Sequence, residues 1–267
     1  MKKAAKSPRK TTYATPALEK GLDVLELLAH QPSGLTKSEI AARLQRTMPE
    51  IFRMLVCLEQ RGYITEIESD RFALSLKLFR LAQEHPPTER LITQALPIMQ
   101  QTAHVTQQSC HLAIVEDGRV IIVAQVNAPT ASGFYVKLGS VIDLMKAASG
   151  YVILAHQDEE HRRRTLEAWS RRTDDPAPTD LASHLKRIRK TGFERRASYQ
   201  VKGVSNISFP IVNAFGNAIG ALTMPYLQYE YGSPSIDAAT GELRKAALAI
   251  SRAIGGRPEV QKDSRSF

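Results

Sequence analysis

Two helix-opening signals follow one another closely near the N-terminus, and they constrain the fold more than any other feature of the chain. Thr36-Lys37-Ser38-Glu39 and Thr47-Met48-Pro49-Glu50 both have the form of a capping box, in which a hydroxyl and an acid three residues later satisfy the free N–H groups of a helix start. Apolar residues at helical spacing follow each: Ile40, Ala41 and Leu44, then Ile51, Met54, Leu55 and Leu58. Arg61-Gly62 closes the second segment. Two short helices joined by a tight turn make a helix-turn-helix. A helix opening at Pro16 precedes them. Thr15 is placed to cap it, and Leu18, Leu22, Leu25 and Leu28, widened by Val24 and Leu27, form its inner face. Tyr63–Ile67 and Arg71–Leu74 follow as two strands about Glu68-Ser69-Asp70, a wing. Leu76, Leu78, Phe79 and Leu81 suggest a helix leading out, which His85-Pro86-Pro87-Thr88 breaks.

The rest alternates strand hairpins with helices. Leu91–Thr106 reads as a helix, with Pro97 kinking it or opening a second piece. Ser109–Val115 and Val120–Val126 are strands about Glu116-Asp117-Gly118-Arg119, and Ser205–Val212 pairs with Ala218–Tyr226 about Ala214-Phe215-Gly216-Asn217. Gly133–Lys137 has the look of a further strand. Helices are expected over Ala147–His156, Asp158–Trp169, Leu181–Lys190 and Ser235–Ile254. This pattern predicts an α+β fold with a mostly antiparallel sheet; regular βαβ alternation and a glycine-rich strand-to-helix turn are both missing. The expected organisation is a basic arm over 1–14, a winged helix-turn-helix over 15–75, a linker helix over 76–90, a ligand-binding and oligomerisation domain over 91–256, and a polar tail over 257–267.

Charge points to a polyanionic partner. The formal net charge is +9, and Lys2, Lys3, Lys6, Arg9 and Lys10 crowd the first ten residues. With a helix-turn-helix, double-stranded DNA is the expected partner. The second helix of such a motif enters the major groove and its first turn reaches base edges. That places Thr47, Pro49, Glu50 and Arg53 at the bases, Arg53 being the natural bidentate partner for guanine or for a phosphate. Arg46 at the turn reads as a phosphate clamp, Lys37 and Ser38 stand at the start of the preceding helix, and Arg71 on the wing can follow the neighbouring backbone. Cys57 and Cys110 have no C-x-x-C partner and are expected as buried, reduced thiols. The histidines form no metal-ligand pattern, so neither metal nor cofactor is expected. No apolar run is long enough for a membrane span and no signal peptide is visible, so a cytoplasmic protein is expected.

Several stretches resemble the IclR family of bacterial regulators: Ala17–Leu25, Gly34–Ala41, Arg53-Met54-Leu55 with Leu58–Ile64, and Arg71–Leu74 in its winged helix-turn-helix. Leu138-Gly139-Ser140, Ala148-Ser149-Gly150 with Leu154-Ala155, and Gly203–Ile211 with Gly216 are similar to the family's GAF-like effector domain. The chain departs from the family in having Pro49-Glu50 at the start of the recognition helix and Met145–Tyr151 before the effector helix. The resemblance implies a ligand-responsive regulator of catabolic genes, working as a homodimer or tetramer on a near-palindromic operator. It maps the pocket onto Phe134, Ile142, Val204, Asn206 and Thr223, with Ala148, Ser149 and Gly150 at a helix start whose N–H groups suit a carboxylate. Polar Asn206 and Thr223 among apolar walls fit a small organic acid with an apolar or aromatic body, and Arg195 or Arg196 can add charge if one turns inward. Two other readings were open to the residues. An enzyme fused to a DNA-binding domain lacks a Gly-x-Ser-x-Gly elbow in the second domain, and a protein-interaction sensor would use its N-terminal domain on proteins.

Overall fold

The computed structural model describes residues 15–67, 70–83, 86–131, 133–229 and 234–258. The basic arm over 1–14, part of the wing turn (68–69) and the last residues of the tail lie outside them. The chain divides into two compact units between His85 and Pro86, each with its own core.

The first unit holds α1 (Pro16–Leu28), β1 (Leu35–Thr36), α2 (Lys37–Arg43), α3 (Met48–Gln60), β2 (Ile64–Ile67), β3 (Arg71–Leu74) and α4 (Lys77–Gln83). Val24, Leu28, Ile40, Ile51, Leu55, Ile64 and Phe72 close its core, with Met54 and Leu58 packed alongside. The box at Thr36 forms in full: its N–H donates to Glu39 Oε2 at 2.8 Å and its hydroxyl accepts from the Glu39 N–H at 3.3 Å. At Thr47 the N–H donates to Glu50 Oε2 at 3.0 Å, and the hydroxyl donates to the same oxygen at 2.8 Å. The wing gains a strand that the sequence pattern does not show. β1 pairs antiparallel with β3, Leu35 opposite Phe72, giving the order β1-β3-β2. Two residues have too short an alternation to register as a strand.

Three expectations for this unit are corrected. The inner face of α1 is Val24 and Leu28, with Leu25 and Leu27 packed against them, while Leu18 is 59% and Leu22 48% exposed. Both apolar sets have helical spacing, and only packing chooses between them. Thr15 makes no side-chain cap on α1. Cys57 lies on the exposed side of α3; Cys110 in the second unit is buried, and burial pushes its thiol up to about 12.

The second unit is a three-layer sandwich. α5 (Pro86–Thr106) runs unbroken through an exposed Pro97, and residues 86–90, expected in the linker, form its first turn. β4 (Cys110–Glu116), β5 (Arg119–Val126), β6 (Val141–Asp143), β7 (Glu194–Ala197), β8 (Val204–Val212) and β9 (Ala218–Leu227) make one antiparallel sheet, ordered β6-β5-β4-β9-β8-β7. Strand alternation sorts its two faces. Ile207, Phe209 and Ile211 of β8 and Leu222, Met224 and Tyr226 of β9 join α5 and the C-terminal α9 (Ile236–Ala253). Ala113, Ile122 and Ala221 face α6 (Ala148–His156), which α8 (Leu181–Thr191) covers in turn; α7 (Glu159–Ser170) lies between these helices in sequence. Gly133–Lys137 is not a strand. The edge beside β5 is taken by the segment after Gly139, whose N–H donates to the Ile122 carbonyl at 2.9 Å, so β6 forms over 141–143. β7 was also unforeseen: Glu194-Arg195-Arg196 is too polar to read as a strand.

Candidate DNA interface and effector pocket

α3 turns Ile51 and Leu55 into the core, so Met48, Pro49, Phe52 and Arg53 come to the surface. Arg53 is exposed, its Nε 3.4 Å from the Pro49 carbonyl. Phe52, beside it and 52% exposed, was not among the candidates. Its place about 100° round the helix from Ile51, at the flank of the buried face, was the available signal. Lys37 Nζ lies 5.8 Å from the Phe52 ring centre and 5.4 Å from that of Phe72, so the ammonium is held beside the first turn of α3. Ser38 is exposed with its hydroxyl 3.1 Å from that of Thr36, and Thr47 is exposed at the start of α3. Arg46 lies 3.5 Å from Asp23.

Two of the expected contacts are occupied inside the domain. The Glu50 carboxylate takes Lys20 Nζ at 2.6 Å besides the Thr47 donors, and these, Lys20 first, hold its pKa down to about 2. It ties α1 to α3 and is not a free reader of bases. Arg71 donates to the carbonyls of Ser33 (3.2 Å) and Gly34 (3.1 Å) and pairs with Glu39 at 3.1 Å. It is a clip between the wing and α2, with few donors left for a phosphate.

In the second unit a cavity of about 30 Å³ opens where the sheet meets the start of α6. Asp143 builds that start. Its Oδ1 accepts from the Met145 N–H at 2.9 Å, its carbonyl from those of Lys146 and Ala147, and its Oδ2 from the Trp169 indole at 3.1 Å. The chain then enters α6 with Ala147 at the N-cap, a residue with no side-chain oxygen to satisfy the helix N–H groups. Ala148 and Ser149 of the first turn line the cavity, as do Phe134, Ile142, Asn206 and Thr223. Six of the eight expected pocket residues therefore converge on one space.

Gly150 and Val204 do not line it. A Cβ on Gly150 would stand 2.2 Å from the Leu144 carbonyl oxygen, so this glycine is needed to let α6 approach its own lead-in. Val204 is buried at the start of β8, two residues before Asn206. The Thr223 hydroxyl is shared with that of Ser208 at 2.8 Å.

His111, Val136, Ala147 and the segment Ser198-Tyr199-Gln200 complete the lining and were not anticipated. His111 stands opposite Thr223 across β4 and β9, is 4% exposed, and its Nδ1 has no partner among the described residues. Burial lowers its pKa to about 4, so the ring is neutral at neutral pH. A histidine in an otherwise apolar strand was the only trace of it in the sequence. Among the described residues no group of His, Cys, Asp and Glu is placed to hold a metal ion, and no helix is long and apolar enough to cross a membrane.

Residues 88–252 match the family model described as the bacterial transcriptional regulator IclR C-terminal domain, and residues 17–68 match the IclR helix-turn-helix domain. The chain belongs to the IclR family of transcriptional regulators. Among its relatives, the HTH-type transcriptional regulator KdgR of Escherichia coli (strain K12) is 24% identical over 82% of this chain and 85% of that protein. An IclR homolog from Microbacterium hydrocarbonoxydans, solved in complex with 4-hydroxybenzoate, superposes with a TM-score of 0.72 at 22% identity, covering 89% of this chain and 98% of that one. Pseudomonas aeruginosa HmgR gives a TM-score of 0.71 at 24% identity, covering 90% and 99%. This IclR-family chain thus carries a DNA-binding domain and an effector domain, and the cavity beneath α6 lies in the latter.

Proposed function

We propose that this regulator binds a near-palindromic operator as a homo-oligomer and changes its grip when a small organic acid with an apolar or aromatic body enters the cavity beneath α6. The carrying observation is that cavity: an uncapped helix start and a neutral His111, whose Nδ1 has no partner among the described residues, line it with Asn206 and Thr223 among the apolar Phe134 and Ile142. Helix N–H groups favour an anion, and the apolar walls favour a hydrocarbon body. The 4-hydroxybenzoate carried by the Microbacterium homolog is an acid of this kind. Since about 30 Å³ has room for only a water or two, such an acid enters only as the covering segments around Phe134 and Tyr199 yield. Both segments lack helix and strand, which supports that movement. The controlled genes are read as catabolic, because sensing an acid serves a cell that breaks it down.

On the DNA side, α3 is read as the recognition helix, with Arg53 at the bases and Lys37, Ser38, Arg46 and Thr47 along the backbone. Arg53→Ala is expected to weaken operator binding by about 1–3 kcal/mol while leaving random DNA nearly unaffected. Equal loss on both DNAs in a filter-binding or anisotropy titration would make Arg53 a phosphate contact instead. Self-association is supported by the exposed Leu18 and Leu22 on α1, since one domain reads only a few base pairs and symmetry doubles the site. Sedimentation is expected to show a dimer or tetramer, and Leu22→Glu to shift it toward monomer. A monomeric wild type at micromolar concentration would overturn this part.

A further inference from the structure

We infer that Arg196 is the residue that receives the carboxylate of the effector, and so sets the selectivity of the pocket for acids over neutral compounds; this rests on the reading of the cavity as the effector site. The two adjacent arginines of β7 have opposite fates. Arg195 points away and pairs with Asp237 of α9 at 3.0 Å, an exposed contact. Arg196 turns to the α6 side of the sheet, where its guanidinium carbon lies 4.8 Å from the ring centre of Tyr151. Its Nη1 is buried and has no hydrogen-bond partner among the described residues. A buried guanidinium N–H left empty costs free energy that a folded protein ordinarily recovers by supplying an acceptor.

The surroundings show what acceptor is missing. Arg196 stands directly opposite Asn206 in the β7–β8 pairing, and Asn206 lines the cavity. Ser198, just past the end of β7 and two residues on from Arg196, lines it as well. Tyr151, whose ring carries the guanidinium, belongs to the first turn of α6, the same turn whose Ala148 and Ser149 line the cavity. The nearby acids are already engaged. Glu194 on β7 is turned to His184 Nε2 at 3.1 Å, and the Asp143 carboxylate oxygens accept from Met145 and Trp169. His184 in turn stacks on Tyr151 with ring centres 4.7 Å apart, which holds the ring under Arg196. The result is a supported cation with a free donor, outside the lining itself but directly across the strand pair from Asn206, which lines a cavity that holds no negative group. A monocarboxylate entering beneath α6 supplies two oxygens, one for the helix N–H groups and one for Nη1.

The experiment uses full-length protein and a panel of acetate, butyrate, benzoate and 4-hydroxybenzoate, each beside its uncharged amide, read by thermal shift and calorimetry. Wild type is expected to be stabilised by at least one acid and by none of the amides. Arg196→Met, which keeps a long side chain over Tyr151, is expected to bind that acid about tenfold or more weaker, and to melt without ligand at or above the wild-type temperature because the empty buried donor is gone. Arg196→Lys is expected to retain part of the affinity. Undiminished acid binding by Arg196→Met would overturn the assignment of Arg196 and leave the cavity as the effector site. An unliganded Arg196→Met that melts well below wild type would show a structural guanidinium and overturn it too. Failure of every acid to stabilise the wild type would remove the organic-acid reading itself, and this inference with it.

Discussion

Deleting residues 1–14 is expected to weaken binding to every DNA sequence alike, by at least about a hundredfold at about 100 mM salt, and to flatten the salt dependence. The reason lies in the charge of the folded domain. Residues 15–83 contain nine Lys and Arg and nine Asp and Glu, and two of the cations are spent on internal partners: Lys20 on Glu50 and Arg71 on Glu39. Such a surface offers shape and one well-placed Arg53 but little net attraction for phosphate. The five cations among the first ten residues are expected to supply it. If each meets one phosphate, the slope of log affinity against log salt falls by about 4–5 per protomer. Titrations of operator and random DNA at several salt concentrations check this. A truncated protein that keeps both affinity and slope would place the electrostatic contacts on the folded domain after all.

Replacing Asn206 by Leu, or Ser149 by Pro, is expected to abolish or strongly right-shift the response to effector while leaving operator affinity without effector near wild type. Asn206→Leu removes a polar lining group at similar volume; Ser149→Pro removes one N–H from the first turn of α6, where proline is tolerated. Loss of a hydrogen bond to a charged ligand costs about 1.5–3 kcal/mol, a shift of roughly 10–100-fold in the effector concentration required. A ligand moves an allosteric equilibrium only through unequal affinity for its two states, so weakening that contact weakens the switch. Both residues belong to the second unit and the helix-turn-helix to the first, which is why basal DNA binding should survive. The readout is an operator titration with and without the acid that stabilises the wild type. An unchanged response in both variants would dismiss the cavity as the effector site. Lost operator binding in the absence of acid would mean that Asn206 and Ser149 hold the fold or the oligomer together.

Both capping boxes, the hairpins around Gly118 and Gly216, and the left-handed helix end at Gly192 were legible because each is a local device. Its residues are near neighbours in the chain, and their chemistry has few alternative uses. The candidate pocket was partly legible for a different reason: the family pattern pointed to Phe134, Ile142, Ala148, Ser149, Asn206 and Thr223, and strands β6, β8 and β9, the start of α6 and the segment at Phe134 bring them to one cavity. The residues that escaped are those whose meaning depends on a partner distant in sequence. Arg71 and Glu50 look like free surface charges until Ser33, Gly34 and Lys20 are seen beside them. His111 looks like a strand residue until its neighbours are found to leave Nδ1 empty.

The sequence by itself determined where most of the helices and both second-domain hairpins lie, that the chain splits into a winged helix-turn-helix and an α+β domain, and that the first ten residues carry five of the nine net positive charges. These follow from caps, turn residues, apolar period and composition, all read within a few residues of one another. Tertiary structure alone decided which of two apolar faces α1 buries, that β6 and not Gly133–Lys137 edges the sheet, and which of two adjacent arginines turns inward. Those choices are settled by packing and hydrogen bonding between segments far apart in the chain. Side chains of the same type, Arg195 and Arg196, are indistinguishable until the strand pleat sends one to Asp237 and the other over Tyr151.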